Sequence, residues 1–307
     1  MRIRNRSRLM LVAAATLFAG IRVAGSQQID AHRASTQQPS HSVCEDEKSD
    51  RATLAVLRLV CRHPQFVRGQ STPAETIVIG FVGGFTKADD AKRPEVLFAT
   101  YLQEHYSPAV HARVFANHED KEALNYISGL LDTDHDGSLS GQEKKSARII
   151  IYGHSWGASE TAAFAKELGR HSIPVLLTVQ MDIIPKPGQK PDQISPNVES
   201  AVNFYQPKGP LHGKSKIVAS DPARTKILGN FRMTYDHGSI NCDNYSWFVR
   251  TFNKPHHQVE NDPHVWDQVA SLIDSEVSSA GRGRRTGPSA ASEQEQKPLS
   301  AVVDNER

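Results

Sequence analysis

The sequence lacks an N-terminal apolar run long enough to span a membrane. The run present there, "LMLVAAATLFAGI", has 13 residues, whereas a membrane-spanning helix needs roughly 20. It follows the basic segment "MRIRNRSR" and precedes the small residues of "RVAGSQ", which is the three-part layout of a secretory signal. We therefore predict a signal peptide at residues 1–25, and an exported protein in the periplasm, outside the cell or at its surface. An uncleaved anchor is the alternative; after cleavage we expect no stable membrane span.

A strong excess of charge is also missing. The chain has 36 Lys and Arg against 34 Asp and Glu, a formal charge of +2. Residues 1–25 hold five arginines and no acidic residue, so their removal changes the formal charge from +2 to −3. No basic face remains that would attract a phosphate backbone, and we predict no nucleic-acid partner.

Cysteine is scarce, with only Cys44, Cys61 and Cys242. An exported chain permits disulfides. Cys44 and Cys61 flank an apolar, helix-like run and could pair, which would leave Cys242 single. The sequence leaves this pairing open.

The predicted domain occupies residues 73–278, between a polar linker or arm at 26–72 and a disordered tail at 279–307. Within it, apolar strand patterns alternate with helix patterns, and no repeat is found. Such alternation predicts an α/β fold, with a mostly parallel sheet flanked by helices. The predicted strands lie within residues 75–85, 110–117, 147–155, 174–182 and 200–206, and the predicted helices within 94–106, 118–131, 157–170 and 264–277.

The pattern G-x-S-x-G joins a predicted strand to a predicted helix in "IIIYGHSWGAS". In a nucleophile elbow the residues two before and two after the serine come into close contact, which favours glycine at 153 and 157. The turn leaves Ser155 at the helix N-terminus, where the backbone N–H of Trp156 can face a developing oxyanion. The pattern predicts a catalytic serine; a tight turn with a surface serine is the alternative.

On these residues, the segment 73–278 resembles the α/β-hydrolase superfamily, specifically its serine esterases and lipases with a GHSxG elbow. The resemblance implies a triad in the chain order serine, acid, histidine. Asp182 ends the strand after the elbow and is the expected acid. Many members carry the acid after the following strand, so Asp221 is the alternative.

The family's histidine lies in a loop before the last helix. The stretch "NKPHHQVENDPHVWDQVASLI" reads as such a polar loop followed by an amphipathic helix. His256, in H-x-x-V-E, is the expected base, followed by His257 and His264. His237 is a candidate for lining the site.

The resemblance also implies a second oxyanion donor in the loop after an early strand. The glycine pair in "IVIGFVGGF" lets the backbone approach a substrate. The family's HG dipeptide is replaced here by Gly80 and Phe81, and Val82 is the aligned donor. Two long insertions, residues 184–197 and 206–230, are expected to line the site.

Just before the elbow, "DTDHDGSLSGQE" matches the twelve-position loop of an EF-hand. Carboxylates occupy positions 1, 3, 5 and 12, glycine occupies position 6, and position 7 offers a carbonyl. An all-oxygen set suits a hard cation such as calcium; an acidic, solvated turn is the alternative. The predicted calcium ligands are Asp132, Asp134, Asp136, Ser138 and Glu143.

This is half of an EF-hand, because "QEKKSA" leaves room for one helical turn and no second loop follows. A structural Ca²⁺ is therefore expected rather than a switch. Together the patterns predict a secreted serine hydrolase that cleaves a small-molecule ester or lipid through an acyl-enzyme. The alternative is a non-catalytic calcium-binding protein on a hydrolase-like fold, and a peptidase or thioesterase on this fold stays open.

Overall fold

The computed structural model describes residues 75–280, except for 107, 236–239 and 244. The predicted signal peptide, the arm at 26–72 and most of the predicted tail lie outside the described residues. The last described helix ends at Ala280, two residues beyond the predicted end of the domain. Cys44, Cys61 and His237 also lie outside them, whereas Cys242 is a buried free thiol.

The core of the described chain is a six-stranded sheet in which every strand pairing is parallel. The strands of the described chain are β1 (Thr76–Val82), β2 (Val110–Ala116), β3 (Ile149–His154), β4 (Val175–Met181), β5 (Gln193–Ile194), β6 (Val198–Tyr205), β7 (Val218–Ala219) and β8 (Lys226–Arg232). The order of the sheet is β2-β1-β3-β4-β6-β8, and the two short strands β5 and β7 form a separate pair.

The central strands are continuous apolar runs because both of their faces are covered. Every residue of β1 and of β3 is buried. Successive side chains of a strand point to opposite faces, and here Ile150 and Tyr152 enter one core whereas Ile149 and Ile151 enter the other. A strand that is buried on both faces therefore contributes side chains to two separate hydrophobic cores.

Helices cover both faces of the sheet. They are α1 (Pro94–Tyr106), α2 (Asp120–Leu131), α3 (Gly141–Ser146), α4 (Trp156–Arg170), α5 (Trp247–Phe252), α6 (Lys254–Glu260) and α7 (Pro263–Ala280). Helices α1 and α7 pack on one face, where the ring centroids of Phe98 and Trp266 lie 4.9 Å apart. Helices α2 and α4 pack on the other face, where the ring centroids of Phe81 and Phe164 lie 5.4 Å apart.

The predicted fold class, a mostly parallel sheet flanked by helices, is confirmed. The insertion predicted at 206–230 is wrong in part, because Lys226–Arg232 forms the edge strand β8. This strand is exposed or half-buried throughout and is paired with a bulge between Ala201 and Val202 of β6. An edge strand lacks the continuous apolar run that marks a central one, so its sequence is hard to tell from a loop.

Among the described residues, no helix combines the length and apolar character needed to cross a membrane.

Candidate active site

Ser155 lies on a strained turn between β3 and α4. Its backbone has φ 60° and ψ −121°, a conformation that is rare for a residue with a side chain. A Cβ on Gly153 would lie 2.5 Å from the carbonyl oxygen of Gly157, and one on Gly157 would lie 2.1 Å from that of Phe81. The close approach of these backbones is therefore the reason for glycine on both sides of the serine.

Asp182 follows β4, the strand next to the one that carries Ser155. It is fully buried and has a positive φ of 46°. Oδ1 accepts hydrogen bonds from the backbone N–H groups of Gln206 at 3.0 Å and Gly213 at 2.8 Å. Oδ2 accepts from the Gln206 side chain at 3.0 Å and lies 2.6 Å from Nδ1 of His256. These donors hold the carboxylate in one orientation and satisfy the charge that burial would otherwise make costly.

His256 is buried, and its ring is held from the Nδ1 side. A carboxylate only accepts hydrogen bonds, so Nδ1–H donates to Asp182 and the neutral ring keeps its lone pair on Nε2. The expected polar loop around this residue is wrong: Lys254–Glu260 is helix α6. Pro255 lies in its first turn, where proline is favoured, and seven residues are too few to show a clear apolar period.

His154, the residue before Ser155, packs against His256. The rings of His154 and His256 lie 4.4 Å apart, and Nε2 of His154 lies 3.1 Å from the carbonyl oxygen of His256. Within the described chain, Ser155 Oγ itself makes no hydrogen bond. The structure thus brings the predicted acid and histidine into contact, and it places the backbone of Ser155 near the acid, because the Ser155 N–H donates to the carbonyl oxygen of Met181, the residue before Asp182, at 2.9 Å.

The alternative candidates lie elsewhere. The Asp221 carboxylate accepts a hydrogen bond from Ala223 in its own turn. His257 faces Glu260, with Nδ1 3.1 Å from Oε2, and His264 is exposed at the start of α7. None of the three contacts Asp182 in the described residues.

The loop after β1 reaches the elbow at Gly83. A Cβ there would lie 3.0 Å from Cβ of Ser155, so the backbone passes close to the serine. Val82, the predicted donor, is the last residue of β1, and Trp156 is the first residue of α4. Phe85 is 95% exposed and packs edge-on against Trp156, with ring centroids 5.3 Å apart, which gives the rim of the site an aromatic surface.

A second polar cluster lies behind His154, and sequence reasoning missed it. His154 Nδ1 lies 3.3 Å from Oε2 of Glu260, whose Oε1 lies 3.3 Å from Arg93 Nη1. Burial lowers the pKa of His154 to about 3. Burial opposes the charge of Glu260, but the hydrogen bond from His257 and the charge of Arg93 favour it, and its pKa lies below the ordinary value.

The acidic loop lies between α2 and α3. Carboxylate oxygens of Asp132, Asp134 and Asp136 lie within 4.8 Å of one another. The chain turns at Gly137, whose φ is 84° and whose N–H donates to Asp132 at 3.0 Å. The Ser138 N–H donates to Asp136 at 2.7 Å. Carboxylate oxygens of the three aspartates therefore lie close together around one turn.

Glu143 makes different contacts. Its Oε1 accepts from Thr133 N–H at 2.7 Å, and its Oε2 accepts from Ser140 N–H at 2.8 Å as half of a capping box for α3. Hydrogen bonds from Ser140 and Thr133 lower its pKa to about 2. The carboxylate closes the loop by binding its backbone, and it lies outside the cluster of three aspartates.

Comparison with known proteins gives distant structural similarity alone. No protein-family model matches the chain, and no curated protein matches its sequence. The fold is similar to a solved arylesterase, at 12% identity and a TM-score of 0.37, over 67% of this chain and 76% of that one. It is also similar to human thioesterase 2, at 10% identity and a TM-score of 0.34, over 67% of this chain and 98% of that one. A solved acetyl xylan esterase is similar at 11% identity and a TM-score of 0.31, over 67% of this chain and 100% of that one.

Proposed function

We propose that this protein is an exported serine hydrolase that cleaves carboxylic esters through an acyl-enzyme. The observation that carries the proposal is the 2.6 Å contact between buried Asp182 and His256, beside a serine on a strained strand-to-helix turn. A buried acid that orients a histidine next to a strained serine is the arrangement used for acyl transfer.

In the proposed first step, Ser155 Oγ attacks the ester carbonyl carbon and Nε2 of His256 takes its proton. Asp182 accepts from Nδ1–H throughout and stabilises the imidazolium that forms. His256 then gives the proton to the leaving alcohol, and an acyl group remains on Ser155. Water, activated by the same imidazole, releases the acid. Hydrogen bonds between the serine and the base often shorten only in the substrate complex, so the missing Oγ contact does not oppose this sequence.

The negative charge on the carbonyl oxygen needs preorganised donors. We assign the N–H of Trp156, at the N-terminus of α4, and the N–H of Val82 to this role. The glycine at 83 keeps the loop after β1 close to Ser155. The exposed edge of Phe85 against Trp156 favours a substrate with an apolar or aromatic group at the rim.

The proposal includes a structural Ca²⁺ in the loop 132–143. The converging aspartates and the turn at Gly137 support it. The carboxylates of Asp132, Asp134 and Asp136 would bind the ion, together with the backbone carbonyl of Ser138. Glu143 would bind it only if its carboxylate left its contacts with Thr133 and Ser140. The ion would fix the junction between α2 and the strand that carries Ser155.

The test is active-site labelling together with turnover. The folded protein, with calcium present, is treated with a fluorophosphonate and assayed on a short-chain nitrophenyl ester. We expect labelling at Ser155, and a loss of at least about 10⁴-fold in kcat for Ser155→Ala. The matched control is Ser172→Ala, a serine in the turn after α4, which should keep both. Absence of labelling in folded wild type would instead favour a non-catalytic calcium-binding protein.

A further inference from the structure

Three side chains of types that can bind a metal ion, each from a separate element, lie close together behind the elbow. Glu95 comes from α1, His154 from the end of β3 and Glu260 from the end of α6. One potential ligand atom of each lies within 4.8 Å of the others, and all three residues are buried. The proposed ester hydrolysis uses none of the three side chains, so the cluster needs its own explanation.

Glu95 supplies the strongest sign of a ligand. Its side chain is fully buried, and no donor among the described residues makes a hydrogen bond to either carboxylate oxygen, so its acidic neighbour Glu260 can pair with it only through a shared proton or a cation. Buried polar groups are almost always paired, because losing water without a new partner costs free energy. Both oxygens of a carboxylate can bind one cation, which would remove this deficit in a single contact.

His154 presents a lone pair to the same space. Its Nε2 lies 3.1 Å from the carbonyl oxygen of His256, and a carbonyl only accepts, so Nε2 carries the proton. In the neutral ring the lone pair is then on Nδ1, 3.3 Å from Oε2 of Glu260. Two acceptors would face each other there. A metal-binding histidine shows this same pattern, with one nitrogen on the ion and the other donating to a carbonyl.

The separation of these two atoms also fits one shared ion. Zinc binds imidazole nitrogen and carboxylate oxygen at roughly 2.0–2.2 Å in a tetrahedral arrangement, which puts neighbouring ligand atoms about 3.3–3.4 Å apart. The observed 3.3 Å between His154 Nδ1 and Glu260 Oε2 matches that edge.

The charges around the cluster balance with a dication. Arg93 lies between Asp90, at 3.4 Å, and Oε1 of Glu260, at 3.3 Å. A doubly charged ion would neutralise Glu95 and Glu260, and Arg93 would neutralise Asp90. His257 Nδ1, 3.1 Å from Oε2, can donate to that oxygen while it binds the ion, because a carboxylate oxygen has two lone pairs.

We propose that Glu95, His154 and Glu260 bind one divalent transition-metal ion, of the zinc class. One nitrogen and two carboxylate ligands suit Zn²⁺ better than the all-oxygen preference of Ca²⁺. The ion would tie α1, β3 and α6 together next to Ser155 and His256, and would hold His154 against the backbone of the catalytic histidine. This site is independent of the acidic loop and of the proposed ester hydrolysis.

Zinc binding by the full chain is the first test. Protein stripped with a strong chelator is titrated with Zn²⁺, with Ca²⁺ held in excess to fill the acidic loop, and its melting temperature and bound zinc are measured. We expect one Zn²⁺ per chain, a raised melting temperature, and an affinity lower by at least about 10–100-fold in Glu95→Gln and Glu260→Gln. Glu104→Gln changes an exposed acid of the same helix α1 and should bind zinc as wild type does.

A second variant separates the two candidate metal sites. Asp134→Asn should leave zinc binding intact, and its loss in this variant would place the zinc in the acidic loop and overturn the proposal. Wild-type affinity in both Glu95→Gln and Glu260→Gln would overturn it as well.

Diffraction keeps the proposal testable if the variants fold poorly. Crystals of wild type soaked with Zn²⁺ should give an anomalous peak about 2.0–2.1 Å from Nδ1 of His154, between the two glutamates. Ordered density for the three side chains without such a peak, at saturating zinc, would show that the cluster holds only a proton.

Discussion

His256 Nδ1 lies 2.6 Å from Asp182 Oδ2, although the two residues are 74 positions apart in sequence. The contact joins the loop after β4 to the short helix α6. Because Gln206 and Gly213 also donate to the same carboxylate, the acid is fixed independently of the histidine. The carboxylate thus sets the tautomer and the direction of the ring, and Nε2 is left to act on a proton.

Asp182→Asn should lower kcat on a nitrophenyl ester by about 10⁴-fold, because an amide no longer enforces Nδ1–H on His256. The melting temperature has to be measured alongside, since the same oxygens accept from Gln206 and Gly213. Asp221→Asn is the control and should keep activity close to that of wild type. Equal losses in the two variants would remove the distinction between these acids.

His256→Ala should abolish turnover to a similar degree, and added imidazole should restore part of it, because it can fill the cavity left by the ring and take up the same proton. His264→Ala replaces an exposed histidine of α7 and should behave as wild type with or without imidazole. Full activity of folded His256→Ala would show that another group is the base.

The parts of the fold that the sequence predicts are those whose cause is local. The apolar runs of β1, β3 and β4 mark buried strands, and the spacing of Gly153, Ser155 and Gly157 marks a turn whose backbones touch. Asp182 is predicted as the acid because it ends a predicted strand. In each case a few adjacent residues carry the physical requirement.

Other features depend on contacts between distant residues. Strand β8 is recognisable only by its pairing with β6, since its own residues are half-buried or exposed. From the sequence, Glu95 looks like an ordinary acidic residue in the first turn of a helix, where its charge interacts favourably with the helix dipole. It lies close to His154 and Glu260 only because three elements that are distant in sequence pack together. No spacing pattern in the sequence can indicate such a contact.

Gly157→Ala should destabilise the protein by about 1–3 kcal/mol, because the new Cβ would lie 2.1 Å from the Phe81 carbonyl oxygen and the backbone would have to move. Gly129→Ala, in helix α2, meets no atom within 4 Å and should stabilise by up to about 1 kcal/mol. Urea unfolding of the two variants measures the difference. Stabilisation of both variants would show that helix propensity, not contact between backbones, decides the effect at the elbow.

Calcium should stabilise the folded protein through the loop 132–143. With a dissociation constant of roughly 0.1–1 mM, as in extracellular calcium modules, 10 mM Ca²⁺ adds about 1.4–2.7 kcal/mol. For a domain of this size that raises the melting temperature by roughly 3–10 °C. EGTA should reverse the shift, and Asp134→Asn, which removes one of the three converging carboxylates, should abolish it.

The variant Glu143→Gln tests whether Glu143 binds the ion or only closes the loop through Thr133 and Ser140. A lost calcium response would mean that the Glu143 carboxylate moves from Thr133 and Ser140 onto the ion. A retained rise in melting temperature with Ca²⁺ would mean that Glu143 only closes the loop. If Ca²⁺ leaves the melting temperature of wild type unchanged, the calcium site is excluded.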